Sequence, residues 1–203
     1  MIIEPERYYG VNYPFMVLND VFTKDECKKI QDIGLNCILN DAKIGENEST
    51  FDPSIRKSKN SFIHLSEESS WIFNKLKEAS EYINNMYFQY DLLGFSSIQY
   101  TEYDHNLSHY NWHMDLQLLK DINFSSLGLT RKLSASVILN SPADYSGGEF
   151  QMYTKPNGTA EHIVAQEQGS VIFFPSYALH RVSPVTEGIR KSLVLWIEGP
   201  KFK

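Results

Sequence analysis

Apolar residues recur at helical spacing only in the first half of the chain. Cys27, Ile30 and Ile33 step by three behind Thr23 and Glu26, which stand as a capping box, and Gly34 suits the helix exit. A second helix is predicted from near Ser69, because Ile72, Leu76, Ala79, Ile83 and Met86 step by four, three, four and three along one continuous face. Between them, Asn40 to Asn60 is polar, with Gly45, Pro53 and several Ser and Asn. It is too long for a simple connector and reads as a functional loop, a candidate lid. From Leu92 the pattern shortens. Residues 95–100, 133–140, 149–153, 170–174 and 190–197 read as strands, rich in Val, Ile, Phe and Tyr and bounded by Gly, Pro, Asn or Ser. Turns are predicted at 146–148 and 155–158. The pattern predicts a mostly-β (α+β) chain: a β sandwich or barrel over roughly 92–198, flanked by helical support over roughly 17–90, as a single domain across 1–203.

Composition narrows the function classes. A chain of 203 residues with 42% hydrophobic and 22% charged residues fits one globular domain with a full core. The formal charge of −6 argues against a nucleic-acid partner, whose phosphates call for a basic surface. No apolar run approaches the roughly 18 residues of a membrane helix, so no membrane partner is expected. Met1 to Glu6 lacks a basic n-region, and Cys27 and Cys37 form no C-x-x-C. A reduced, cytoplasmic protein without a secretory signal is the expectation.

Three histidines, His105, His109 and His113, are spaced by four and would share a helical face able to hold zinc. The residues between them are poor helix formers and the segment follows a strand, which weighs against that arrangement. His113-Met114-Asp115 is sharper. On a strand, residues two apart project to one side, so an imidazole and a carboxylate would enter the same space. They would serve as metal ligands or as a plain His–Asp hydrogen bond at a strand end. His180, 65 residues after Asp115, follows an apolar strand and a Pro turn and is the candidate third ligand. Two imidazoles and one carboxylate make the facial triad of non-haem Fe(II) oxygenases, with open positions for other ligands. Ten residues on stands Arg190, sharing a strand face with Ser192, Val194 and Trp196 while Lys191 points away. A guanidinium facing inward calls for an anion, a carboxylate above all; at a strand mouth it would instead reach solvent.

Taken together, these residues resemble the prolyl 4-hydroxylase branch of the Fe(II)/2-oxoglutarate dioxygenases, in its bacterial and phage-like form. The similarity extends through Leu133-Ser134-Ala135-Ser136, Pro142-x-x-Tyr145-x-Gly147-Gly148-Glu149 and His180-Arg181-Val182-x-Pro184-Val185-x-x-Gly188-x-Arg190-x-Ser192-Leu193. The resemblance implies a double-stranded β-helix (jelly roll) with the N-terminal helices on its outer sheet. It implies Fe(II) on His113, Asp115 and His180, with 2-oxoglutarate and O2 as cosubstrates and ascorbate as a reductant. It places the far carboxylate of 2-oxoglutarate on Arg190, with Ser192 beside it and a strand tyrosine, Tyr103 with Tyr100 as the alternative. On the substrate side it suggests Trp196, Arg131 and the Arg56-Lys57-Ser58 segment. The implied reaction hydroxylates an unactivated C–H, with succinate and CO2 as co-products. The substrate it suggests is a prolyl residue in a peptide or protein. A free amino acid is the next substrate, and a non-catalytic jelly-roll module is the rival reading. Two departures bear on the substrate: Phe150 stands after Gly-Gly-Glu, and the glycines usual before H-x-D are replaced by Asp104 to Tyr110.

Overall fold

The computed structural model describes residues 15–43, 51–116, 128–153, 160–162 and 167–201. Helix α1 spans Lys24–Asn36 and opens on the expected capping box. The Glu26 amide donates to Thr23 Oγ1 at 3.2 Å, and the Thr23 amide donates to the Glu26 carboxylate at 2.8 Å. Gly34 does not end this helix. It is buried within it, where a Cβ would come within 2.4 Å of the Tyr100 ring. Helix α2, Ser70–Ile83, buries Ile72, Leu76, Ala79 and Ile83 as its spacing predicts. A π-turn over Asn84–Phe88 then breaks the register, so Met86 leaves the buried face and is 57% exposed.

Among the described residues, thirteen strands follow the chain order β1 (Met16–Leu18), β2 (Asn40–Asp41), β3 (Arg56–Lys57), β4 (Lys59–His64), β5 (Ser97–Asp104), β6 (His109–His113) and β7 (Leu129–Ile138), then β8 (Tyr145–Gly147), β9 (Phe150–Tyr153), β10 (Ala160–His162), β11 (Val171–Pro175), β12 (His180–Val182) and β13 (Val185–Pro200). The major sheet runs β1-β11-β7-β13-β5-β4-β2, with β8 joined to β13. The minor sheet runs β10-β9-β12-β6-β3, and the pairings in both are antiparallel. The fold is mostly β, a jelly roll of two sheets with the two helices laid on the outside of the major one.

The alternation along β11 shows how both faces of the major sheet are filled. Val171 and Phe173 point to the helices, where they join Ile30, Ile72, Leu76, Ile98, Tyr100, Val137, Leu193 and Leu195. Ile172 and Phe174 point between the sheets, onto Tyr103, Ile138, Phe150, Met152 and Val182. A strand buried on both faces reads as a continuous apolar run, as Val-Ile-Phe-Phe does here. The sequence expectation for 40–60 needs correction. The segment carries β2 and β3 and the start of β4, and β3 extends the minor sheet beside β6. Residues 44–50 and the turn expected at 155–158 lie outside the described residues. No helix among the described residues is long and apolar enough to cross a membrane.

Candidate metal centre

The centre forms where β6 ends and β12 begins. His180 pairs directly with His113, so antiparallel registry sets two imidazoles side by side, with ring centroids 4.2 Å apart. Asp115 follows His113 by two residues and is buried. Its Oδ1 lies 3.7 Å from His113 Nε2 and its Oδ2 lies 3.6 Å from His180 Nε2. All three donor atoms fall within 4.8 Å of one another. These separations exceed hydrogen-bond length. Asp115 Oδ2 is buried and accepts no hydrogen bond among the described residues. Three ligand atoms therefore converge without satisfying one another, which fits a divalent cation between them.

Both rings are oriented by the backbone. His113 Nδ1 lies 2.7 Å from the Asn111 carbonyl, and His180 Nδ1 lies 2.9 Å from the Ala178 carbonyl. A carbonyl only accepts, so each Nδ1 carries the proton and each Nε2 presents its lone pair. Burial, with His180 alongside, pushes His113 down to about 3 and keeps it neutral. Burial alone would raise Asp115. Against that, the protonated forms of His180 and His113, then Arg131 and a hydrogen bond from Ser134, draw it below the usual carboxylate range; with the imidazoles neutral, Arg131 and Ser134 act alone. Two imidazoles and one carboxylate are the donor set of a non-haem ferrous site.

Aromatic rings wall the centre. Phe174 and Phe150 lie 4.5 and 5.5 Å from the His180 ring, and Tyr110 stacks on His113 at 3.4 Å. Further along the same interior, Arg190 is 1% exposed and donates from Nη1 to Ser192 Oγ at 3.1 Å. Its guanidinium carbon lies 5.6 Å from the Tyr103 ring, its register partner on β5. Gly148 makes room for this arm: its φ is positive, and a Cβ on it would come within 2.9 Å of Arg190 Cδ. Gly147, also at positive φ, lies instead against the Pro184 carbonyl.

Residues 98–198 match the 2OG-Fe(II) oxygenase superfamily. The chain carries a 2OG-Fe(II) oxygenase domain. Relatives of the domain include PKHD-type hydroxylases from Janthinobacterium sp. (34% identical over 91 residues, 45% of this chain and 38% of the relative) and Nitrosomonas europaea (32% over 103 residues, 49% and 42%). The matched segment thus spans about two fifths of those relatives. Among solved structures, the fold is shared with a Trichoplax adhaerens prolyl hydroxylase in complex with a hypoxia inducible factor peptide fragment (TM-score 0.71, 18% identity, covering 92% of this chain and 84% of that one). A Pseudomonas putida prolyl-4-hydroxylase shares it too (TM-score 0.66, 19% identity, 93% and 94%). For a domain of this superfamily, Fe(II), 2-oxoglutarate and O2 are the implied cofactor and cosubstrates, and the His113–Asp115–His180 cluster fits the iron.

The structure separates the two tyrosines left open by the sequence. Tyr103 faces the interior of the oxygenase domain, whereas Tyr100 faces the helices and donates to Glu102 at 2.7 Å. Arg131 lies over Trp196, its guanidinium carbon 3.9 Å from the indole centroid. Arg56 is buried, donates from Nε to Ser58 Oγ at 3.0 Å and lies over Tyr110 at 4.6 Å. The three-histidine helix does not form. His109 and His113 lie on a strand, and both His109 ring nitrogens lie near carbonyls, of Leu107 and Ser54. Sequence reasoning missed Tyr110, which a regular strand would turn away from His113.

Proposed function

We propose that this chain is a 2-oxoglutarate-dependent dioxygenase that hydroxylates an unactivated C–H, with a prolyl residue of a peptide as its substrate. The observation that carries the reading is the His113–Asp115–His180 cluster, whose ligand atoms lie within 4.8 Å of one another, with the Arg190 guanidinium buried in the same inter-sheet space, held by Ser192 and flanked by Tyr103. A guanidinium is suited to bidentate pairing with a carboxylate, so a dicarboxylate would reach from the metal to Arg190.

His113, Asp115 and His180 would hold the ferrous ion. Bound there, iron supplies the activation of O2 that couples decarboxylation of 2-oxoglutarate, to succinate and CO2, with transfer of one oxygen atom to the C–H. The chain's own residues bind and orient. Ser192 steadies Arg190, whose guanidinium would pair with the far carboxylate of 2-oxoglutarate, and Tyr103 would add a hydroxyl donor beside it. Phe150, Phe174 and Tyr110 exclude water around the ligands. On the substrate side, Arg131 and Trp196 form a stacked pair at the margin of Asp115, and the Trp196 Nε1–H is buried without a hydrogen-bond partner among the described residues. Both are suited to a peptide carbonyl. Arg56, held by Ser58 on the edge strand beside β6, would close the peptide from the other side.

The PKHD-type relatives and the peptide-bound prolyl hydroxylase support peptidyl proline as the substrate class. The test is a screen of the iron-loaded protein for substrate-stimulated succinate release, with product mass read in parallel. Proline-containing peptides gaining one oxygen atom is the expected result. Stimulation by free amino acids alone would overturn the peptide assignment.

A further inference from the structure

The β6–β12 ladder is irregular at the point where it delivers the two imidazoles. His180 pairs with His113 and Val182 pairs with Tyr110, so two steps on β12 oppose three on β6. One extra residue is therefore accommodated across Asn111–Trp112, a β-bulge. The bulge explains three features together. Tyr110 and His113 are three apart, an odd step that would put them on opposite faces of a regular strand, yet their rings stack at 3.4 Å. The Asn111 carbonyl accepts from His113 Nδ1, while the Asn111 side chain accepts the Trp112 amide at 2.9 Å. The Asn111 amide donates to the Ile55 carbonyl at 2.8 Å, tying the bulge to the segment before β3.

The bulge leaves the ladder locally disrupted, so contacts on the outer face bear directly on how β6 sits against β12 at the ligands. The side chains beside the two imidazoles, Trp112 and Arg181, meet on the opposite, outer face of the minor sheet. The Arg181 guanidinium carbon lies 4.8 Å from the Trp112 ring centroid, and Arg181 Nε donates to Gln151 Oε1 at 2.6 Å. Gln151 is the direct partner of Arg181 on β9 and donates in turn to Glu149 at 2.8 Å. The Trp112 indole reaches Tyr153, also on β9, at 4.4 Å. One continuous contact therefore spans β6, β12 and β9 on the outer face, directly behind the metal ligands.

We propose that Trp112, Arg181 and Gln151 act as a positioning clasp: by locking the bulged β6 against β12, they set the spacing of His113 Nε2 and His180 Nε2 and so the affinity of the site for a divalent metal. The proposal rests on the metal-site reading above. The guanidinium supplies both contacts, stacking on the indole and a hydrogen bond across the neighbouring strand. None of the three side chains enters the interior, so their effect passes through the strands to the ligands. Partners that orient metal ligands from outside the ligand set typically matter by about 10- to 100-fold in affinity.

The test titrates Co(II), an air-stable probe, into the full chain, following the visible ligand-field band and the melting temperature of the metal-free protein. Arg181→Met and Trp112→Leu are expected to weaken Co(II) binding at least about tenfold. Trp112→Phe, which keeps a ring, should recover most of the loss. In the metal-free protein, side-chain 15N NMR should show the His113 Nδ1–H tautomer less populated in Arg181→Met, a change that a loss of general stability would not produce. Should Trp112→Leu fail to fold, Arg181→Met, at a half-exposed position, carries the test. Wild-type binding that His180→Ala abolishes, with Arg181→Met and Trp112→Leu within twofold of wild type, would overturn the clasp and leave the metal site standing. Equal binding by wild type and His180→Ala would overturn both.

Discussion

Arg190 is where a single side chain bears most on the chemistry. It is buried, and its direct neighbours Ser192 and Tyr103 present a hydroxyl and a ring. Arg190→Ala is expected to raise the KM for 2-oxoglutarate at least about tenfold, since hydrogen bonds to a charged group contribute roughly 1.5–3 kcal/mol and every 1.4 kcal/mol is about a factor of ten. Arg190→Lys should recover only part, because an ammonium cannot pair bidentately. Kinetics with varied 2-oxoglutarate read this, and an unchanged KM in Arg190→Ala would remove the residue from the site. Tyr103→Phe should also raise that KM, whereas Tyr100→Phe should leave it alone and act on stability, since its hydroxyl bonds Glu102 on the helix side. The metal cluster and Arg190 were legible in the sequence because their chemistry is rare: a carboxylate two residues from an imidazole on a strand, and a guanidinium on the inner face of an apolar one. Tyr110 was not legible, because its inward position depends on a bulge, and no spacing rule anticipates one.

At the scale of elements, periodicity located both helices and most of the β core, and it failed where burial is polar. Strand β4 reads Lys-Asn-Ser-Phe-Ile-His and shows no apolar alternation. Its buried Asn60 donates to Gln99 at 3.0 Å and its Ser61 to the Gly34 carbonyl at 2.8 Å, so hydrogen bonds take the place of apolar contacts. Gly34 carried a signal that its identity masked. It stands four residues after Ile30 and seven after Cys27, on the buried face rather than at the exit. Gly34→Ala gains about 1 kcal/mol of helix propensity but forces a methyl into the Tyr100 ring, an overpacking cost of about 1–3 kcal/mol. A net loss in melting temperature is the expected outcome of a thermal scan, with the helix shifted away from β5. At the Gly147-Gly148 turn, Gly148→Ala meets positive φ and Arg190 Cδ together, and it should weaken 2-oxoglutarate binding as well as stability. Binding titration beside the thermal scan separates the two effects.

Across the whole molecule, the two cores divide the work. The outer core, between helices and major sheet, supplies rigidity; the inner one, between the sheets, leads from Arg190 and Tyr103 to the His–Asp–His cluster. A ligand that binds only the folded inner core stabilises the fold by mass action, about 2.7 kcal/mol at roughly 100 times its dissociation constant. Fe(II) with 2-oxoglutarate, added without oxygen, should therefore raise the melting temperature of the wild type and not that of His180→Ala. The most direct measurement goes one step further: admit O2 to the Fe(II)- and 2-oxoglutarate-loaded protein and quantify succinate. Succinate formed by the wild type, and absent in Asp115→Ala and His180→Ala, is the predicted result. Intact 2-oxoglutarate in a wild-type sample shown to hold iron would contradict it.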